Sequence, residues 1–141
     1  MPKGTAYATD YLKTVFNNNN TGGLLVGGAD ANLYVSLHTA DPSGGNQNTN
    51  EVAYTGYARV AVTRANNSGW TVAGNNAVNA ANITFPQATG GNNTAAFFGI
   101  GENNTGTGGL LFYSGALTAN LTIVNGITPQ FGAGNASITE S

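Results

Sequence analysis

Residues 32–42 read NLYVSLHTADP, and their alternation decides what kind of fold the chain can build. Leu33, Val35 and Leu37 point one way while Tyr34, Ser36 and His38 point the other, which is the two-residue period of a strand with one buried face. Thr39, Ala40, Asp41 and Pro42 stop it. Proline fixes φ and brings no N–H to a ladder, and the Asp41 carboxylate can cap a turn. His38 is then expected at the surface, where the strand ends.

Upstream, residues 4–17 carry the one helical pattern. Ala8, Leu12, Val15 and Phe16, with Tyr7 and Tyr11 beside them, recur at three- and four-residue spacing, and Thr5 is a fair N-cap. The run Asn17–Asn20 and Thr21-Gly22-Gly23 stops the helix. Its apolar stripe is expected to pack on the chain's own sandwich rather than on a neighbouring subunit. Leu24–Val26, between two Gly-Gly pairs, reads either as a short edge strand or as an ordered loop.

Downstream, residues 43–50 are too polar and glycine-rich to be regular, and 51–55 recover briefly. Residues 57–64 (YARVAVTR) alternate again, with Ala58, Val60 and Val62 on one face and Tyr57, Arg59, Ala61 and Thr63 on the other. Residues 66–69 read as a turn, Trp70-Thr71-Val72 as a strand with the sole tryptophan as a core plug, and Ile83–Pro86 as a short strand. The stretch 75–82 fits neither pattern. Residues 95–100 (AAFFGI) suit a strand buried on both sides. A hairpin-type loop over 103–109 precedes strands at 110–117 and 121–124, Asn125-Gly126 is a turn pair, and Phe131 and Ile138 carry the last pieces. The predicted fold is mainly β: an antiparallel β-sandwich or jelly-roll-like barrel with one short N-terminal α-helix. A single domain is expected over 1–141, with the helix at 4–17 and the sandwich at 24–141.

Only 7% of the 141 residues are charged, against roughly 25% in an ordinary soluble domain, so amides and hydroxyls must keep the surface wet. A formal net charge of −2 offers no footprint for nucleic acid. No apolar run is long enough for a membrane helix or a signal sequence, so a soluble chain without membrane partners is expected. There are no cysteines, hence neither disulfides nor thiolate chemistry.

Little in the sequence points to catalysis. His38 is the sole histidine, no Gly-x-Ser-x-Gly elbow exists, and a zinc site would need several His or Cys ligands. The six carboxylates, Asp10, Asp30, Asp41, Glu51, Glu102 and Glu140, are scattered, and no EF-hand spacing is present. The glycine-rich stretches lack the lysine of a phosphate loop. No catalytic residue, cofactor or metal is expected. Two of the four basic residues, Arg59 and Arg64, fall on one predicted strand. Glu51 is a candidate partner for Arg59, although a solvated strand face is the simpler expectation.

The order LYVSLHTADP, NEV at 50–52, YARVAVT at 57–63, Trp70, ITFPQAT at 83–89, FFGI at 97–100, GGLLFYSGALT at 108–118 and NGITPQF resembles a family of small virion proteins of tailed bacteriophages. The likeness spans essentially the whole chain. Members are variously labelled capsid decoration or cement, minor tail or tail-fibre proteins, so the resemblance implies a place in the phage particle and carries no catalytic residues. The expectation is a non-enzymatic homo-oligomer, a trimer, binding the major capsid protein or other virion proteins as a decoration protein on the outer capsid surface. The alternative is a tail, baseplate or tail-fibre component that takes part in host adsorption. Contacts are expected from Tyr7 and Tyr11 of the helix and from Asp41, Asn46 and Asn50 of the following loop.

Overall fold

The computed structural model describes residues 5–17, 31–65, 68–105 and 109–140; Leu24–Val26 lie outside the described residues. The helix α1 (Thr5–Asn17) is followed by β1 (Asn32–His38), β2 (Val60–Thr63), β3 (Trp70–Ala73), β4 (Asn76–Asn79), β5 (Ile83–Thr84), β6 (Asn93–Gly101), β7 (Leu111–Ile123), β8 (Gln130–Phe131) and β9 (Ser137–Thr139). A four-stranded sheet runs β2-β1-β6-β7, a three-stranded sheet β3-β4-β9, and β5 pairs with β8. The pairings β1–β6, β6–β7, β3–β4, β4–β9 and β5–β8 are antiparallel. This is the mainly β architecture expected of a sandwich with one helix, and its sheets do not close into a barrel.

The chain divides into two compact units, one drawn from Met1–Leu33, Val62–Asn82 and Gly132–Ser141, the other from Tyr34–Ala61 and Ile83–Phe131. In the first, the helix lays its apolar stripe on β3 and β4. Ala8, Leu12, Val15 and Phe16 are all buried, and Phe16 meets the face of Trp70 edge-on at 4.8 Å between ring centroids. The stripe therefore packs on its own chain. Trp70 is fully buried, and its indole Nε1 has no acceptor among the described residues. Arg64, also buried, donates from Nε to Val15 O (2.7 Å) and from Nη2 to Thr14 O (2.8 Å). A guanidinium there supplies donors that the last turn of a helix lacks and opposes the negative end of its dipole. Thr9 Oγ1 donates to Gly74 O at 2.6 Å.

Within 75–82, which shows no clear period, Asn76–Asn79 become a strand because the neighbouring β3 and the distant β9 flank them on both sides. Val78 pairs with both Thr71 and Ser137. Buried Asn79 donates from Nδ2 to Ala81 O (2.8 Å) and Gly132 O (3.0 Å) and accepts at Oδ1 from Ala136 N (2.9 Å). One amide side chain thus holds the C-terminal segment on β4.

In the second unit β1 and β6 pair from Tyr34↔Gly101 to His38↔Phe97. Residues opposite each other share a face, so Val35, Leu37, Phe98 and Ile100 form one side and Ser36, His38, Phe97 and Gly99 the other. The first side is core. Phe98 contacts Phe131 of β8, which contacts Phe85, which stacks on Tyr57; a ladder of rings joins the layers. The second side is buried as well, contrary to the one-faced reading of 32–38: Ser36 and His38 are both fully enclosed. His38 is therefore not the surface residue the alternation implied.

The predicted strand over 57–64 shrinks to Val60–Thr63. Arg59 is buried while Ala58 is exposed, the reverse of the expected facing, because Arg59 finds a carboxylate inside. Conversely, the two pieces at 110–117 and 121–124 are one strand, β7. Its pairing with β6 jumps from Phe97↔Ala116 to Ala95↔Leu121, so Leu117–Asn120 arch out opposite Ala96 alone, and a second, smaller register shift leaves Phe112 between Tyr113↔Ile100 and Leu111↔Gly101.

The helix depends on its seat against Trp70. Phe16→Ala should lower unfolding stability by about 3–5 kcal/mol, the range for emptying a buried aromatic site, measured as a shift in the denaturant midpoint.

Candidate functional site

The loop between β1 and Glu51 lies over the second buried face, and its side chains are consumed in holding it there. Asp41 Oδ1 accepts from Ser43 N (2.9 Å), as the sequence suggested for a capping carboxylate. Asn46 Oδ1 accepts from Asn48 N (2.9 Å) and Thr49 Oγ1 from Asn46 N (3.0 Å). Asn50 adopts a left-handed backbone at φ 56°, which Asn tolerates better than most residues. Its carbonyl takes Thr39 N at 2.8 Å and its Nδ2 reaches Asp41 O at 3.3 Å. Short polar side chains bonding their own backbone are what make such a loop rigid without regular structure.

Beneath the loop, His38 donates from Nδ1 to Thr49 O (2.8 Å), which leaves Nε2 to accept from Ser36 Oγ (2.8 Å). That is the donor order of a serine–histidine nucleophile pair. Here both side chains are sealed, and the group orienting the imidazole is a backbone carbonyl rather than a carboxylate. A Cβ on Gly99 would stand 2.6 Å from His38 Nε2 and 2.8 Å from Ser36 Oγ; only glycine lets β6 lie this close. Burial lowers the His38 pKa below its ordinary 6.5, against weaker raising effects of the Thr49 hydrogen bond and the Glu51 charge, while the Arg59 charge adds to the lowering.

Gln47 is fully buried as well. It accepts at Oε1 from Asn103 N (2.8 Å), donates its Nε2 to Asn103 O (3.3 Å) and its backbone N to Gly109 O (3.0 Å). A Cβ at Gly101 would meet the Gln47 amide. Neither Gln47 nor the glycines of β6 stood out in sequence; a glycine inside a predicted strand was the available signal of close approach.

Glu51 is the hub of this end of the unit. Arg59 grips it with two parallel bonds, Nε to Oε1 (2.8 Å) and Nη2 to Oε2 (2.9 Å), and sends Nη1 to Asn103 O (2.9 Å). Tyr57 OH donates to Glu51 Oε1 at 2.7 Å. The side chains of Arg59 and Glu51 are only 4% and 12% exposed, so the solvated-face expectation fails and the Glu51 pairing holds. Burial first, then the Glu51 charge and hydrogen bond, pushes the Tyr57 phenol far above its ordinary range. The Arg59 pKa is raised, chiefly by the bonds to Glu51. Asn48, Glu51, Tyr57, Arg59, Asn104 and Thr105 line a shallow concavity of about 300 Å³.

Of the contact residues expected from sequence, Asp41 and Asn50 are exposed and Asn46 and Tyr11 half-exposed; the side chain of Tyr7 lies outside the described residues. Asp41, Asn46 and Asn50 come together on one loop. Among the described residues no cluster of three His, Cys, Asp or Glu side chains could hold a metal ion.

A family model described as "Podophage GP4 fiber I protein gp80" matches residues 7–139 of the chain. No curated protein matches it.

Removing one partner of a buried pair strands the other charge. Glu51→Gln or Arg59→Ala should each cost about 3–5 kcal/mol in chemical denaturation, and Glu51→Leu with Arg59→Met much less than the sum. His38 gives a pH signature. The unfolded chain takes a proton near pH 6.5 and the folded chain only at lower pH, so stability is full above about 6.5 and falls as pH drops toward the folded value. Thermal melts between pH 7.5 and 5 should show that fall, and His38→Gln should flatten its slope whatever it does to the midpoint.

Proposed function

The chain belongs to this podophage fiber family, and from that premise we propose that it is a non-enzymatic structural subunit of the tail-fiber apparatus, engaged in host adsorption rather than in coating the capsid. Its place in the phage virion follows from the family. The observation that carries the finer reading is the family's own description, matched over 7–139, which favours the fiber alternative over capsid decoration. The structural character is supported by what the buried groups do. The Ser36–His38 pair is closed to solvent, Glu51 is occupied by Arg59 and Tyr57, Gln47 is spent on Asn103, and Asp41, Asn46, Thr49 and Asn50 bond the backbone of their own loop.

The partners proposed are further copies of this chain and other virion proteins at the fiber. A rigid, nearly uncharged module suits repetition, because identical like charges would meet wherever copies adjoin. A weak contact made by several linked copies becomes a strong one. The exposed turn around Asp41, Ser43 and Asn50 is the candidate contact surface.

Gold-labelled antibodies raised against the chain should mark the tail fibers of intact particles, with a handful to a few dozen copies per particle by quantitative mass spectrometry. Label spread over the capsid, with hundreds of copies, would return the assignment to decoration. Purified protein should release no sugar from host surface polysaccharide; turnover that disappears in His38→Ala would overturn the non-enzymatic part.

A further inference from the structure

We propose that residues 39–50 form a flap latched by His38, and that a proton on the imidazole releases the flap from the sheet and so displaces the turn around Asp41, Ser43 and Asn50. The release stands on geometry within this chain; its bearing on contacts with other virion proteins rests on the fiber reading above. The ends of the flap meet where Thr39 N donates to Asn50 O at 2.8 Å, the closed neck of an Ω-loop. Inside, Gly45 N bonds Pro42 O, Thr49 N bonds Asn46 O and Asn46 N bonds Thr49 Oγ1, so the flap moves as one body. Only Pro42 and Gln47 of it are buried. It is held to the sheet by Gln47, bonded to Asn103 and Gly109, and by the His38–Thr49 bond. A segment with so little apolar burial opens at lower cost than the whole unit, because the β1–β6 ladder and the Glu51–Arg59 pair stay made.

Of these ties His38 is the one that titrates. Neutral, it donates Nδ1 to the flap and accepts at Nε2 from Ser36 Oγ. A second ring proton has to sit on Nε2, and the Ser36 hydroxyl that points its hydrogen there must turn away, in a space where a Cβ on Gly99 would stand 2.6 Å from Nε2. The imidazolium also lacks an unshared countercharge among the described residues. Glu51 already takes Arg59 Nε and Tyr57 OH at Oε1 and Arg59 Nη2 at Oε2, and the Arg59 charge opposes a second cation. Tyr34 lies on the same side of β1, β6 and β7 bring no charged residue, and Asp41, the one charge of the flap, is exposed and caps Ser43 N. With the flap down, burial keeps the imidazole neutral below its ordinary 6.5. With the flap lifted the ring meets water and takes its proton at that ordinary value, so acid favours the open form.

Residue-resolved amide exchange on the purified full chain, corrected for the intrinsic effect of pH, tests this. The amides of Gln47 and Asn103, whose bonds join flap to sheet, should exchange faster than those of β1 and β6 and without dependence on low denaturant. Between pH 7.5 and 5 their opening should increase by roughly thirtyfold, the gain in protonated over neutral ring for an exposed imidazole. In His38→Gln that opening should vary less than twofold. In the native protein the ring signals of the sole histidine give a second reading. Exchange of Gln47 and Asn103 with the rate and denaturant slope of the β1 and β6 amides would overturn the flap. A pH dependence that survives in His38→Gln, or a ring that takes its proton while both amides stay as protected as at pH 7.5, would overturn the latch. Each of those results leaves the fiber assignment intact, since antibody labelling tests that separately.

Discussion

The second unit depends on one constraint: a ten-residue polar loop has to lie flat on a sheet face that would otherwise be wet. Bringing main chain that close to β6 requires Gly99 and Gly101, because a Cβ at either would strike His38 and Ser36 or Gln47. Once the loop is down, its peptide groups lose water and need partners. His38 supplies one to Thr49 O from beneath, the loop's own Gln47 bonds the main chain of Asn103, and Glu51 at the loop's end is held by Arg59 and Tyr57. The sealed imidazole, the paired guanidinium and the strand glycines are consequences of one packing decision.

The same economy accounts for the composition. With so few charges, the surface is held in shape by Asn and Thr, whose short side chains bond local backbone instead of reaching for distant partners. Asn79 shows the buried form of this strategy, satisfying four peptide groups of the C-terminal segment through its amide and its own main chain. Where charge does enter the interior it is compensated: Arg59 by a carboxylate and a carbonyl, Arg64 by the last carbonyls of α1. A surface with so few charges carries little self-repulsion.

Rigidity and openness are divided along β6 and β7. β6 is closed in on both faces at its Gly101 end, whereas β7 is half-exposed for most of its length and interrupted by the arch at Leu117–Asn120. The rigid strand holds the polar loop.

Period and punctuation by themselves determined the class of the fold, the helix over 4–17 with its stripe, the β1 and β6 strands, the role of Trp70 and the turn capped by Asp41, because each of those rests on residues near one another in the chain. The phage family could also be read from the order of short motifs. Tertiary structure alone decided that the polar side of 32–38 is buried, that Arg59 faces inward, that 75–82 holds the strand Asn76–Asn79 and that Leu111–Ile123 is one strand with an arch. In each case the deciding partner lies outside the segment whose alternation is read: Gln47 and Thr49 over the face of β6, Glu51 for Arg59, Ser137 for Val78, and Ala95 and Phe97 for the two halves of β7. Local pattern reports which residues alternate; only the arrival of a distant segment determines whether the other side of the alternation meets water.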